Sequence, residues 1–156
     1  MHDLRHGKES LVTVSLQVPA LLEYRDLASR AVATVCRHAL TCSPGMRAGD
    51  ASAEFINELI SAVGEAFNNV VAHAYGNSGD GTIDMELGWN HERVAVKIWD
   101  FGRPFDLETV PRIDLSMPHE NGMGVHIIRS FVDVVVYQAG SPNLLMLTKY
   151  IPQKAA

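Results

Sequence analysis

Three short stretches of the sequence carry groups that could act on a ligand. The first is a polar stripe, because Glu65, Asn69 and His73 stand four residues apart in a segment whose apolar residues have helical spacing. A carboxylate one helical turn from a carboxamide could supply a general base and an oxygen ligand for a metal ion. The alternative is a solvated polar face, which is common on helices of globular proteins.

The second stretch follows an apolar run that is typical of a strand. Asp100 ends that run, so its carboxylate should lie at the rim of a sheet. There it could accept a hydrogen bond from an exocyclic amine such as that of adenine. Gly102 would let the backbone approach a flat ligand closely. A simple turn at the end of a strand would use the same residue types.

The third stretch places Gly122 and Gly124 directly before an amphipathic segment that ends near Phe131. Backbone N–H groups at the start of a helix can bind phosphate. A Gly-x-Gly pair alone is weak support for such a site, because glycine pairs also open many helices that bind nothing.

Other polar residues have simpler interpretations. Cys36, His38 and Cys42 are close in the sequence, but their spacing is not that of a zinc site, which favours structural thiols on a helix. Arg25 and Arg30 belong to a segment that is ordinarily the solvated face of a helix.

The elements that must position these stretches follow from the apolar periodicity. Alternation of apolar and polar residues predicts strands, and apolar residues at helical spacing predict helices. The predicted strands span about 11–18, 82–89, 93–100, 133–138 and 144–151, and the predicted helices about 20–40, 50–73 and 124–131. This order favours a two-layer α/β (α+β) sandwich, in which a mixed, mainly antiparallel sheet carries the helices on one face.

Composition limits the class of protein. The 156 residues are 47% apolar and 20% charged, which is typical of one folded domain covering residues 1–156. No apolar run approaches the length of a membrane span, and residues 1–9 are too polar for a signal peptide. The net charge of −5 argues against direct nucleic-acid binding. Only two cysteines are present, which favours a cytoplasmic protein.

The order and spacing of the three stretches together resemble the GHKL ATPase superfamily, whose ATP-binding domain has the Bergerat fold. The resemblance is carried by Glu-x-x-x-Asn followed by His-Ala-Tyr, by Asp-x-Gly-x-Pro-Phe-Asp, and by Gly-Met-Gly before a helix, over residues 65–133. Within the superfamily, the chain is similar to the small anti-sigma factor serine kinases of bacterial partner-switching systems.

The resemblance implies a role for each position. Glu65 would be the catalytic base that takes the proton from a serine hydroxyl of a protein substrate, and Asn69 would ligate Mg²⁺ beside the phosphates of ATP. The segment 103–121 would form a lid over the nucleotide. The expected nucleotide contacts are Asn69, His73, Asp100, Gly102, Phe105, Asn121, Gly122, Met123, Gly124 and Val125.

Two positions depart from the family pattern. Related kinases often carry an arginine just before the lid glycines, aimed at the γ-phosphate, but Glu120 and Asn121 stand there in this chain. Arg103 and Arg112 are the candidates to replace it.

The second departure concerns the last strand. In the family this strand often opens with Gly-Thr, whose hydroxyl helps to bind adenine, whereas Pro142 and Asn143 are the nearest residues here. Thr148 is the candidate replacement for that contact.

The resemblance therefore predicts an anti-sigma factor with serine protein kinase activity that uses Mg²⁺ and ATP. Its partners would be a sigma factor and an anti-anti-sigma protein of the STAS type, and it would form a homodimer without binding a membrane. The helix face around residues 25–30 would help to bind those partners. One alternative is an ATP-binding module that sequesters a partner with little or no catalysis. Another is a regulatory ATPase whose partner is not a sigma factor.

Overall fold

A computed structural model describes residues 10–43, 50–105, 107–110, 112, 116 and 122–153. Within these ranges the chain forms five strands and three α-helices. The strands are β1 (Val12–Pro19), β2 (Thr82–Trp89), β3 (Arg93–Asp100), β4 (Val134–Gln138) and β5 (Asn143–Tyr150). The helices are α1 (Arg25–Cys42), α2 (Asp50–Asn69) and α3 (Met123–Phe131).

The strands form one sheet in the order β1-β2-β3-β5-β4, and every pairing is antiparallel. Alternation sends one set of side chains inward, so that Met85 of β2 stands beside Ile98 of β3, and Ile98 beside Leu145 of β5. The opposite face is polar at its centre, where Lys97 and Glu86 pair at 3.1 Å. The predicted sandwich with a mainly antiparallel sheet is therefore confirmed.

The helices cover the inward face of the sheet and share one hydrophobic core with it. Leu59 and Phe67 of α2 and Ile128 of α3 are completely buried, together with Val32 of α1. Because α2 buries this apolar stripe, its neighbouring polar stripe is directed to the edge of the core, where Glu65 and Asn69 lie.

The second helix ends differently from the prediction. The apolar spacing predicted a helix to about residue 73, but the α-helix stops at Asn69 and continues as a π-helical turn over Val70–Ala74. In this turn the Tyr75 N–H donates to the Val70 carbonyl at 3.1 Å. Such π turns often occur at functional sites.

The sheet brings two distant parts of the chain together at one edge. The side-chain oxygen of Asn90 accepts the N–H groups of Glu92 and Arg93 at 2.9 and 3.0 Å, which fixes the tight hairpin between β2 and β3. The register then places Asp100, the last residue of β3, opposite Asn143, the first residue of β5.

None of the helices within the described ranges is long and apolar enough to cross a membrane.

We expect the Leu59→Ala variant to lower the free energy of unfolding by about 2–5 kcal/mol, because the change leaves a cavity in the core. Leu59 is completely buried on α2. Urea denaturation at equilibrium measures the difference.

The matched control is Leu27→Ala, because Leu27 is also helical but is 50% exposed. Its effect should remain within about 1 kcal/mol. Equal losses for the two variants would contradict the assignment of α2 as the central core helix.

Candidate functional site

Two polar side chains lie one turn apart near the end of α2. The Glu65 side chain is 26% exposed, and Asn69 is half-buried. Asn69 lines a small pocket whose wall also includes Ala66 and Val70. The Nδ2 atom of Asn69 is buried and has no hydrogen-bond partner among the described residues. A buried amide nitrogen without a partner is unusual in a folded protein, so this side chain is a candidate ligand-binding group.

The start of α3 packs against the Glu65 carboxylate. A Cβ atom placed on Gly124 would lie only 2.6 Å from Oε2 of Glu65, so no larger residue fits there unless the carboxylate moves. Gly122 has a φ of +86°, in the left-handed region that favours glycine, and it precedes the first helical residue. The N–H groups of the first helical turn have no acceptor within the helix. The carboxylate of Glu65 therefore borders a turn that can bind an anion.

Asp100 forms the other end of the site. It is 5% exposed, and its Oδ1 atom accepts two hydrogen bonds of 2.9 Å, from the Gly102 N–H and from Nδ2 of Asn143. Asn143 is completely buried and also donates to the Gly102 carbonyl at 3.0 Å. Within the described residues no hydrogen bond reaches Oδ2 of Asp100. This oxygen is therefore available to a donor in the pocket that Asp100 lines.

Gly102 lies directly against the π turn that ends α2. A Cβ atom on Gly102 would meet the Ala74 carbonyl oxygen at 2.3 Å, and backbone cannot move aside as a side chain can. The next residue, Arg103, donates its N–H to the same carbonyl at 2.8 Å. The Tyr75 hydroxyl accepts the Phe101 N–H at 2.8 Å. These contacts fix the strand end that carries Asp100 to the end of α2.

An apolar pocket connects the two ends of the site. The ring of Phe105 lines it and stacks on His73 with centroids 4.4 Å apart and planes 14° from parallel. The Phe105 N–H donates to the Tyr137 hydroxyl at 2.8 Å. His73 itself is exposed, on the outer side of Phe105. The pocket is lined by Ala66, Asn69, Val70, Ala74, Asp100, Phe105, Leu107, Tyr137 and Leu145.

The structure brings most of the predicted site residues together. They are Glu65, Asn69, His73, Asp100, Gly102, Phe105, Gly122, Met123, Gly124 and Val125. Val125 is buried beneath the turn, and Met123 is 43% exposed at its surface. Asn121 and Glu120 lie outside the described residues, as does much of the predicted lid. Of that lid, the segment Leu107–Val110 is fixed to α3, because the Arg129 guanidinium donates to the carbonyls of Leu107 and Val110.

Thr148 does not lie with these residues. The register places it opposite Ala95, five residues along β5 from Asn143. At the rise of a β-strand, this separation is about 17 Å. The side chain beside Asp100 is that of Asn143, and the prediction of Thr148 as a replacement contact is corrected accordingly. The sequence did place Asn143 at the start of the last strand, but only the register makes it the partner of Asp100.

Two further residues at the site were not predicted to act there. Arg25 lies 3.8 Å from Glu65, measured from Nη2 to Oε1, although its segment was interpreted as solvated. Tyr137 lines the pocket from β4. Neither Arg103 nor Arg112 forms an ion pair with Glu65 in the part of the chain that the structure describes.

The two cysteines are chemically separate from this site. Cys36 is completely buried in α1, and burial raises the pKa of its thiol to about 12. Cys42 is exposed. Within the described ranges, no three histidine, cysteine, aspartate or glutamate side chains form a cluster that could hold a metal ion.

Comparisons with known proteins give the family. A model of the histidine kinase-like ATPase domain matches residues 22–149, a range that contains every residue of the site described above. The chain belongs to this family.

Among its curated relatives are proteins named serine-protein kinase RsbW. The protein from Listeria innocua is 31% identical, over 90% of this chain and 88% of its own length. The Oceanobacillus iheyensis protein is 29% identical over the same shares, and the Bacillus cereus protein is 27% identical over 94% of this chain and 89% of its own. The likeness thus extends over nearly the whole of each protein.

Membership of an ATPase family makes the chain an ATP-binding protein, and the residues present fit the nucleotide. The Gly122–Val125 turn offers N–H groups for phosphate, and Asp100 offers a carboxylate oxygen in the apolar pocket. Asn69 fits Mg²⁺, because its Nδ2 atom has no partner among the described residues and a 180° rotation of the amide group would place its oxygen, a suitable metal ligand, at that position.

We expect Asp100→Asn to weaken ATP binding by about 1–3 kcal/mol, the usual cost of losing a hydrogen bond to a charged acceptor. Isothermal titration calorimetry measures the affinity.

The wild type should also prefer ATP to GTP, because guanine presents a carbonyl where adenine presents an amine.

Asp84→Asn is the control, because Asp84 lies on the open face of the sheet, where it binds Gln17 at 2.7 Å. This variant should bind ATP as the wild type does. Equal affinity of the wild type for ATP and GTP would show that Asp100 does not recognise the exocyclic amine of adenine.

Proposed function

We propose that this single domain is a serine protein kinase that transfers the γ-phosphate of ATP to a serine hydroxyl of a protein substrate. The observation that carries the proposal is the contact between Glu65 and Gly124. It places a carboxylate directly beside the turn that can bind phosphate, with Oε2 2.6 Å from a Cβ position on Gly124. A general base must lie within reach of the proton that it accepts, and this carboxylate borders the site where the phosphate would bind.

Each part of the site then has a defined task. Asp100 binds the adenine amine through Oδ2, while Asn143 and Gly102 hold Oδ1 in place. The N–H groups near Gly124 bind phosphate. Glu65 accepts the proton of the serine hydroxyl as the serine oxygen forms its bond to the γ-phosphorus and the bond from that phosphorus to ADP breaks. Phosphoryl transfer depends mostly on such positioning and on neutralisation of charge.

Asn69 would hold Mg²⁺ through its amide oxygen. When bound, the ion supplies positive charge that offsets the charge of the phosphates. The fit rests on the buried Nδ2 atom of Asn69, which has no hydrogen-bond partner among the described residues.

The biological role that we propose is that of an anti-sigma factor. The kinase would hold a sigma factor inactive and would phosphorylate a STAS-type anti-anti-sigma protein, which prevents its own displacement. Support comes from the relatives named serine-protein kinase RsbW, which match over 88–89% of their own length. We further propose that the protein is cytoplasmic and acts as a homodimer, as the family resemblance implies.

The second candidate function is an ATP-binding module that sequesters its partner with little catalysis. It is favoured by the absence of an arginine just before Gly122, where Glu120 and Asn121 stand. Phosphotransfer to a recombinant STAS-type protein from the same genome, with ATP labelled at the γ-phosphate, separates the two functions.

We expect Glu65→Gln to reduce single-turnover phosphotransfer by about 100-fold or more, the usual scale for a positioned general base. ATP affinity should be unchanged, because the variant keeps the shape of the side chain. Rapid-quench measurement at saturating ATP and STAS-type protein gives the rate.

Glu54→Gln is the matched control, since Glu54 is exposed on the same helix. Undiminished transfer by Glu65→Gln would assign the base to another residue. A wild-type protein that binds both ATP and the STAS-type protein but never labels it would favour the sequestering module.

We expect Asn69→Ala to lose Mg²⁺-dependent ATP affinity and phosphotransfer together, each by at least about 10-fold, because the change removes a metal ligand. Calorimetry with ATP in the presence and absence of Mg²⁺ measures the first effect.

The neighbouring variant Asn68→Ala should retain both properties, since Asn68 does not line the pocket. If Asn69→Ala bound ATP with the wild type's full Mg²⁺ dependence, the ion would have other ligands.

A further inference from the structure

The Arg25 side chain packs on α2 at Gly64, where a Cβ atom would displace its guanidinium. A Cβ atom on Gly64 would lie 2.6 Å from Nη2 of Arg25 and 2.9 Å from its Nε. The guanidinium therefore rests directly on the backbone of α2 at the residue that precedes Glu65. Arg30, also on α1, is placed differently, because its side chain is 79% exposed and pairs with Asp26 on its own helix.

The Glu65 carboxylate lies between Arg25 and the phosphate-binding turn. Its Oε1 is 3.8 Å from Nη2 of Arg25, and its Oε2 faces the Cβ position of Gly124 at 2.6 Å. The two oxygens of one carboxylate thus face a cation on one side and the turn on the other. Rotation of the carboxylate would disturb both contacts.

The guanidinium also has an unused donor. Nε of Arg25 is buried and has no hydrogen-bond partner among the described residues. At 3.8 Å, Nη2 of Arg25 and Oε1 of Glu65 form an ion pair but are too far apart for a hydrogen bond. Catalytic hydrogen bonds are often long in unliganded enzymes and shorten in the complex with substrate. An approach of about 1 Å would turn this ion pair into a hydrogen bond.

We propose that Arg25 is a positioning residue for phosphoryl transfer. Its guanidinium, which packs on Gly64, holds the Glu65 carboxylate in the orientation in which Oε2 faces Gly124. This assignment rests on the proposed function of Glu65 as the base. Arg25 thereby contributes a positive charge beside the reacting groups, from the first residue of α1, in a chain that carries no arginine just before Gly122.

Four variants test the proposal. Arg25→Met keeps the length of the side chain and removes its charge, and Arg25→Lys restores the charge without the planar fork. Gly64→Ala leaves both charged residues intact, but its methyl group would displace the guanidinium. Because alanine favours helix more than glycine does, this variant should fold at least as stably as the wild type. Arg37→Met is the control, because Arg37 is exposed on α1 outside the helix face at residues 25–30.

The measurements are single-turnover transfer at saturating ATP and STAS-type protein, with separate affinities for each ligand. We expect Arg25→Met and Gly64→Ala to slow transfer by about 10- to 100-fold, the scale of a misplaced reacting group, with ATP affinity unchanged. Arg25→Lys should recover part of the rate, and Arg37→Met should match the wild type.

A double variant distinguishes positioning from a structural role. If Arg25 acts through Glu65, then Arg25→Met combined with Glu65→Gln should be no slower than Glu65→Gln alone. Multiplied losses would overturn the proposal, because Arg25 would then act independently of Glu65.

Two other results would overturn it. In one, Arg25→Met transfers phosphate at the wild-type rate. In the other, Arg25→Met only weakens binding of the STAS-type protein and leaves the saturated rate unchanged, which would make Arg25 a docking residue. A wild-type protein that transfers no phosphate would refute the proposed kinase function itself, and this assignment with it. That failure is visible before any variant is made.

Discussion

The close approach of α3 to α2 at Gly124 and Glu65 is the contact on which the whole site depends. A carboxylate repels the anions that this turn attracts, yet here the two are adjacent, with Oε2 2.6 Å from a Cβ position on Gly124. Only glycine allows this approach without displacing the carboxylate. Because α2 is anchored in the core by Leu59 and Phe67, the position of Glu65 is fixed by the fold and not by a surface loop.

The adenine side of the site is built by a second set of close contacts. Asn143 bridges Asp100 and the Gly102 carbonyl, and Gly102 packs on the Ala74 carbonyl at the end of the π turn. Asp100 therefore has one oxygen engaged by the protein and one available to a ligand. The π turn links the two halves, since it joins the end of α2, which carries Asn69, to the backbone beneath Gly102. A change in the length of this turn would misplace both.

The sequence predicted the elements well where periodicity is strong. The strands β2 and β3 were predicted at 82–89 and 93–100, as the structure has them, because their side chains alternate and a polar hairpin separates them. The start of α3 was predicted within one residue from its glycines. These signals come from residues close together in the sequence. The patterns that singled out Glu65, Asn69 and Asp100 as candidate site residues are local in the same sense.

The contacts that the sequence did not predict are long-range or depend on register. Asn143 lies 43 residues from Asp100, and no local pattern shows that the two will be paired. Arg25 has the spacing of an ordinary surface residue until α1 is packed on Gly64. Thr148 was the candidate to replace the hydroxyl of the family's Gly-Thr, and only the register shows that Asn143 stands opposite Asp100. The π turn after Asn69 was missed, because helical spacing over one turn does not distinguish it from α-helix.

The most direct test of the central claim is single-turnover phosphotransfer by Gly124→Ala at saturating ATP. Its φ is not in the left-handed region, so alanine fits the helix, but its methyl group would displace the Glu65 carboxylate. The account predicts that transfer to the STAS-type protein falls by about 100-fold, as expected for a misplaced base, in a protein that remains folded. Transfer at the wild-type rate would contradict the account, because Glu65 could not then be the base held against the phosphate turn.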